Sequence, residues 1–133
     1  MTSFTVRAHR VDGHLSQAGN GETEISVGTD IAGNSDALNP MELLMTALAA
    51  CMIKGTNRLM PLLSLDIQSF DITLTATRQD TPPKVSGIEY QIVVHSPDSD
   101  EKLALLHENL TKFGTVTNTI AAGTNLHGTL TRR

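Results

Sequence analysis

Cys51 is the only thiol in a chain of 133 residues, and it stands near the end of an apolar run, NPMELLMTALAACM, over positions 39–52. A thiolate is a nucleophile and a target for oxidants, but a thiol with a pKa of about 8.5 is only a few per cent thiolate at neutral pH. Burial among hydrocarbon raises that pKa further, so chemistry at Cys51 needs a cation close by. The sequence offers Lys54, three residues on, and Arg10, which strand alternation puts on the apolar side of an N-terminal strand. Leu44, Ala47 and Leu48 lie one and two turns before Cys51 and form an apolar wall along a helix. The plainer reading treats the sulfur as one more small buried apolar side chain, since free Cys is among the most buried residue types.

Other chemistries find little support. One Cys cannot form an internal disulfide or a multi-thiolate metal site. His9 and His14 flank a turn, while His95, His107 and His127 are isolated, so no zinc site is expected. The glycines of AGN and GNG punctuate turns and lack the strand-to-helix setting of a phosphate cradle, so no cofactor is expected either. A formal charge of -4 with only three Phe and one Tyr excludes the basic, aromatic surface of a nucleic-acid binder. The longest apolar tract, 41–53, contains Glu42 and Thr46 and falls short of the roughly 20 residues of a membrane span. MTSFTVRAHR lacks the regions of a secretory signal, so a cytoplasmic protein is expected.

The elements that must position Cys51 follow from periodicity. Phe4, Val6 and Ala8 alternate with Thr5, Arg7 and His9, and turns at 11–13 and 19–21 predict a meander of strands closing with Thr23, Ile25 and Val27. A loop over 29–38 leads into the first helix. There Asn39 caps, Pro40 takes the first position and Glu42 completes a capping box. Leu43 to Ile53 leave almost no polar face, so the helix is expected to be central and covered on both sides, with Met41, Met45 and Met52 in its core contacts and Pro61 as its end. Strands then follow on Phe70, Ile72, Leu74 and Ala76 and on Ile88, Tyr90, Ile92 and Val94, joined by a polar QDTPPKVSG connection. A second helix starts near Ser96 or Ser99 with a Leu103, Leu106, Leu110 and Phe113 seam, beside which His107 is read as half-buried, and stops at Gly114. TVTNTIAAG suggests a short helix and TNLHGTLTRR a final strand. The sum is one α+β domain over 1–133, with helices packed on an antiparallel sheet.

The run NPMELLMTALAAC, in this order of elements, resembles the OsmC/Ohr family of osmotically induced and organic-hydroperoxide-resistance proteins. The resemblance covers nearly the whole chain. It implies an intertwined homodimer with two central helices, and thiol-dependent reduction of organic hydroperoxides at the subunit interface. Cys51 matches the family's peroxidatic cysteine, Leu44, Ala47 and Leu48 would contact a hydrophobic peroxide, and HRVDG is similar to the region whose arginine assists the thiolate, giving that role to Arg10. Two departures stand out. Gly114 occupies the place of the second, resolving cysteine, and Met41 that of a glutamate that partners the arginine, with Glu42 about 100° away around the helix. The expectation is therefore at most a one-cysteine peroxidase regenerated by an external thiol, or else a non-catalytic member binding a small hydrophobic ligand.

Overall fold

The computed structural model describes residues 1–33 and 36–133, so the expected loop over 29–38 lies partly outside the described residues. The chain divides into two compact units, Met1–Leu44 and Met45–Arg133.

The first unit is a three-stranded antiparallel meander, β1 (Arg7–Arg10), β2 (Leu15–Gly19) and β3 (Glu24–Gly28), in that spatial order. Its turns are built by short polar side chains, as the sequence predicts. Asp12 Oδ1 accepts from the N–H groups of His14 and Leu15 at 2.8 and 2.9 Å, and Asn20 Oδ1 accepts from those of Glu22 and Thr23 at 2.9 and 2.8 Å. Gly21, at φ 96°, supplies the left-handed residue of the second turn. The register pairs Ala8 with Ala18 and Ala18 with Ile25, and Arg10 with Ser16 and Ser16 with Val27. Arg10 therefore does share a sheet face with the apolar residues, but it does not point into a core: all four β1 residues are exposed, and Ile25 is 50% exposed.

Helix α1 (Pro40–Leu62) begins at the predicted capping box. The Glu42 N–H donates to Asn39 Oδ1 at 2.8 Å, and the Asn39 N–H donates to Glu42 Oε1 at 3.0 Å. Pro61 does not stop the helix, because a proline in the last turn forfeits one hydrogen bond and the Leu63 N–H still reaches the Leu59 carbonyl at 2.9 Å. Within one chain the helix is covered along a single side. Leu48, Met52, Thr56 and Leu59 form one buried stripe, while Leu44, Ile53 and Leu62 remain exposed. One core covers one stripe of a helix.

In the second unit β4 (Ser69–Asp80), β5 (Pro83–His95) and β6 (Asn125–Arg132) form a sheet with β5 central. The expected QDTPPKVSG connection is mostly strand: pairing continues out to Asp80 and Pro83 around a tight turn. The sheet is mixed, not antiparallel, since β6 runs parallel to β5. A parallel neighbour requires a crossover, supplied here by α2 (Asp100–Phe113) and α3 (Thr115–Ala121). Ser99 caps α2 by accepting from the Lys102 N–H, and Gly114 ends it. Leu103, Leu106 and Leu110 are buried as predicted, but Phe113 at the helix end is 59% exposed.

Ile88, Tyr90, Ile92 and Val94 of β5 meet Leu48, Met52 and Leu59 of α1, the three α2 leucines and Ile120 of α3 in one core. Gly55 lets α1 and α2 approach, because a Cβ there would come 2.9 Å from Leu110 Cδ2. Tyr90, 2% exposed, shares a hydrogen bond of 2.6 Å between its hydroxyl and His107 Nε2, and burial lowers the His107 pKa. The Tyr90 ring lies over Gly128, where a Cβ would come 2.5 Å from Tyr90 Cγ.

Two stability predictions arise here. Gly128→Ala should cost about 3 kcal/mol in chemical denaturation, because the new methyl meets backbone as well as ring. Because the folded His107 pKa lies below the ordinary 6.5, its contribution to stability is complete above that pH. The contribution declines as pH falls below 6.5 and is gone once pH has passed the folded value. Denaturant midpoints of wild type and His107→Gln should accordingly differ in slope on the acid side of 6.5; parallel curves would contradict this.

Candidate functional site

Cys51 is half-buried on α1, between Leu48 and Met52, which anchor that helix in the core. Its sulfur faces the start of α3. The Thr117 hydroxyl donates to Cys51 Sγ at 3.8 Å, a long contact even for sulfur. The residue before α3 is Gly114, whose φ of -78° and ψ of 127° are those of an N-cap but which has no side chain to cap with. The backbone N–H groups of Val116 and Thr117, at the start of α3, favour the anionic form of the sulfur. The junction is held further by Asn118, whose side chain donates to the Lys112 carbonyl at 3.0 Å and whose N–H donates to the Gly114 carbonyl at 2.8 Å.

These contacts decide the state of the thiol. Burial is the largest single influence and raises its pKa, but the Thr117 N–H, the Thr117 hydroxyl, the Val116 N–H and the charge of Arg58 together outweigh it. The net direction is downward. The cation acting on Cys51 is thus Arg58, seven residues along α1 and so two turns away on the same side. Lys54, nearer in sequence, is exposed and is not among the influences on the thiol. Arg10 lies in the first unit, exposed, where its charge helps to hold the Asp12 carboxyl below the usual range, after the larger effect of the His14 and Leu15 N–H groups.

The expected apolar wall is only partly available to a ligand. Leu48 has no exposed surface and belongs to the core, which removes it from the wall, whereas Ala47 and Leu44 are exposed. The reason is rotational: residues 48 and 51 are three apart, so when Leu48 faces β5 the sulfur sits at the margin of the core. Sequence reasoning missed Arg58 and Thr117. The seven-residue spacing was a usable signal for the first. No local signal marked the second, because α1 and α3 meet only through the tertiary fold.

Gly114 occupies a telling place. A Cβ built on it would lie 3.0 Å from Cys51 Sγ and 2.7 Å from Thr117 Oγ1. Among the described residues no group of three His, Cys, Asp or Glu side chains could hold a metal ion, and no helix is long and apolar enough to cross a membrane.

Among the described residues, two sheets and three helices make a mixed α+β fold, with the one thiol of the chain set against the start of a short helix. A family model described as OsmC-like protein matches residues 33–127, and the chain belongs to that family. No curated protein matches it. Among solved structures it is similar to an OsmC-like protein from Mycoplasma pneumoniae, with a TM-score of 0.90 at 18% identity over 98% of this chain and 97% of that one. It is also similar to organic hydroperoxide resistance proteins. The one from Elizabethkingia anophelis has a TM-score of 0.76 at 16% identity, covering 99% of both chains. The one from Legionella pneumophila has a TM-score of 0.74 at 15% identity over 99% and 97%.

The Gly114 geometry makes a direct prediction. With an S–S bond of about 2.05 Å, a Cβ lies about 3 Å from the opposite sulfur, the separation that Gly114 already has from Sγ. Gly114→Cys should therefore close a disulfide with Cys51 under mild oxidation, read as the disappearance of both free thiols. Two persistently reactive thiols would show that the junction is not arranged as described.

Proposed function

We propose that this OsmC-like chain is a one-cysteine peroxidase that reduces small hydrophobic organic hydroperoxides. The observation that supports it most is the half-buried Cys51 sulfur set against the Thr117 hydroxyl at the start of α3, with its pKa lowered against the effect of burial. The Cys51 thiolate attacks the outer peroxide oxygen. An S–O bond forms as the O–O bond breaks, and the alkoxide leaves and takes a proton from solvent to become the alcohol. The sulfenic acid that results on Cys51 has no second cysteine to meet, since the chain contains one. An external thiol instead forms a mixed disulfide with loss of water, and a second thiol releases Cys51 and carries away the disulfide. Ala47 and Leu44 are the apolar surface for the peroxide, and Arg10 retains the assisting role that the family resemblance gives it.

The same proposal has residues 1–133 acting as one domain in a homodimer of cytoplasmic chains. Its support is exposed hydrocarbon: Phe4 and Val6 are 89% and 67% exposed, Leu62 is 71% exposed, and the meander has no buried hydrophobic residue of its own. Surfaces of this kind mark contact sites in soluble proteins. A second reading, a non-catalytic member that binds a hydrophobic ligand, is favoured by one fact, the lack of any resolving thiol.

Brief exposure to tert-butyl hydroperoxide followed by a sulfenic-acid trap should label Cys51 well ahead of a free exposed thiol, and Arg10→Ala should slow the labelling. Labelling no faster than that of glutathione would leave the ligand-binding reading in its place. Sedimentation of the wild-type chain should give twice the monomer mass; a monomer at high concentration would remove the dimer.

A further inference from the structure

Thr117 is the most buried polar side chain of the second unit, 1% exposed, and its hydroxyl donates to the sulfur of Cys51 at 3.8 Å. A buried hydroxyl needs a partner, and among the described contacts the sulfur is that partner. The contact exists because residue 114 has no side chain. A Cβ there would stand 2.7 Å from Thr117 Oγ1, 3.1 Å from Thr117 Cβ and 3.0 Å from Cys51 Sγ, and so would crowd both hydroxyl and sulfur. Thr117 and Ile120 are the buried residues of α3, so the hydroxyl is fixed by the same packing that fixes the helix. Cys51 itself is only half-buried, and Ala47, one turn back along α1, is exposed.

We propose that Thr117 is a positioning residue for Cys51: its buried hydroxyl, admitted by the missing side chain at Gly114, holds the reacting thiolate. The proposal rests on Cys51 being the reacting group. Thr117 does not touch the peroxide. It orients the sulfur and favours its anionic form, because a hydrogen bond to the charged state is stronger than one to the neutral thiol. The charged group whose field acts on Cys51 is Arg58 on α1, and α3 contributes no charged side chain. The hydroxyl is thus the side-chain device at this helix start that a single substitution can remove without altering charge.

The test uses the pH profile of Cys51 alkylation by iodoacetamide in the full chain, a reading that needs no peroxide. Thr117→Val should slow alkylation about tenfold at neutral pH and move the midpoint of the profile upward by about 1 in pH. Thr117→Ser, which restores the hydroxyl, should return the wild-type profile. Gly114→Ala, with Thr117 intact, should shift it in the same direction as Thr117→Val by separating hydroxyl from sulfur. Should Thr117→Val fail to fold, Gly114→Ala and Thr117→Ser decide. An unshifted profile in Gly114→Ala and Thr117→Val, or a shifted one in Thr117→Ser, overturns the proposal. Failure of the wild type to react with an organic hydroperoxide would sink the peroxidase reading and leave this profile standing, so the two failures are distinguishable.

Discussion

Leu48 and Met52 leave water in the core they share with β5, α2 and Ile120 of α3, and they flank Cys51 on the same helix. That requirement sets the rotation of α1 about its own axis. With both neighbours committed to the core, the cysteine side chain projects from the edge of the buried stripe and has little freedom to turn elsewhere. Thr117 and Ile120 impose a matching constraint on α3. Two helices that have no sequence neighbourhood are thus brought together by apolar burial on one strand, and the polar contact between sulfur and hydroxyl follows from it. Burying a side chain of this size is worth roughly 1.5–3 kcal/mol, and a net hydrogen bond about 1 kcal/mol. Hydrophobic packing therefore decides the geometry, and the hydrogen bonds decide the chemical state within it.

The chemical state is a balance of opposed effects. Partial withdrawal from water disfavours the thiolate, while two backbone N–H groups, a hydroxyl and a guanidinium favour it. The donors belong to the start of a helix, where N–H groups lack intrahelical partners.

What the sequence disclosed was mostly local. The Asn39–Glu42 capping box, the Asp12 and Asn20 turns, the Ser99 cap and the Gly114 stop each involve residues a few positions apart, and each was legible. The long-range features were not. Nothing in TNLHGTLTRR distinguishes a parallel from an antiparallel neighbour, because both alternate with period 2. The all-round apolar character of α1 pointed to full cover, yet one core takes only the Leu48, Met52, Thr56 and Leu59 stripe. Arg10 was placed on the correct sheet face by alternation, but alternation says which residues share a face and not whether anything covers it. At the site, the type of Cys51 and the lack of a partner thiol were evident, whereas Thr117 became visible only with the tertiary arrangement.

Because the buried Thr117 hydroxyl has the sulfur of Cys51 as its partner, any adduct on that sulfur alters the surroundings of a side chain packed at the start of α3. The packing of that helix start and the covalent condition of the cysteine are then thermodynamically linked.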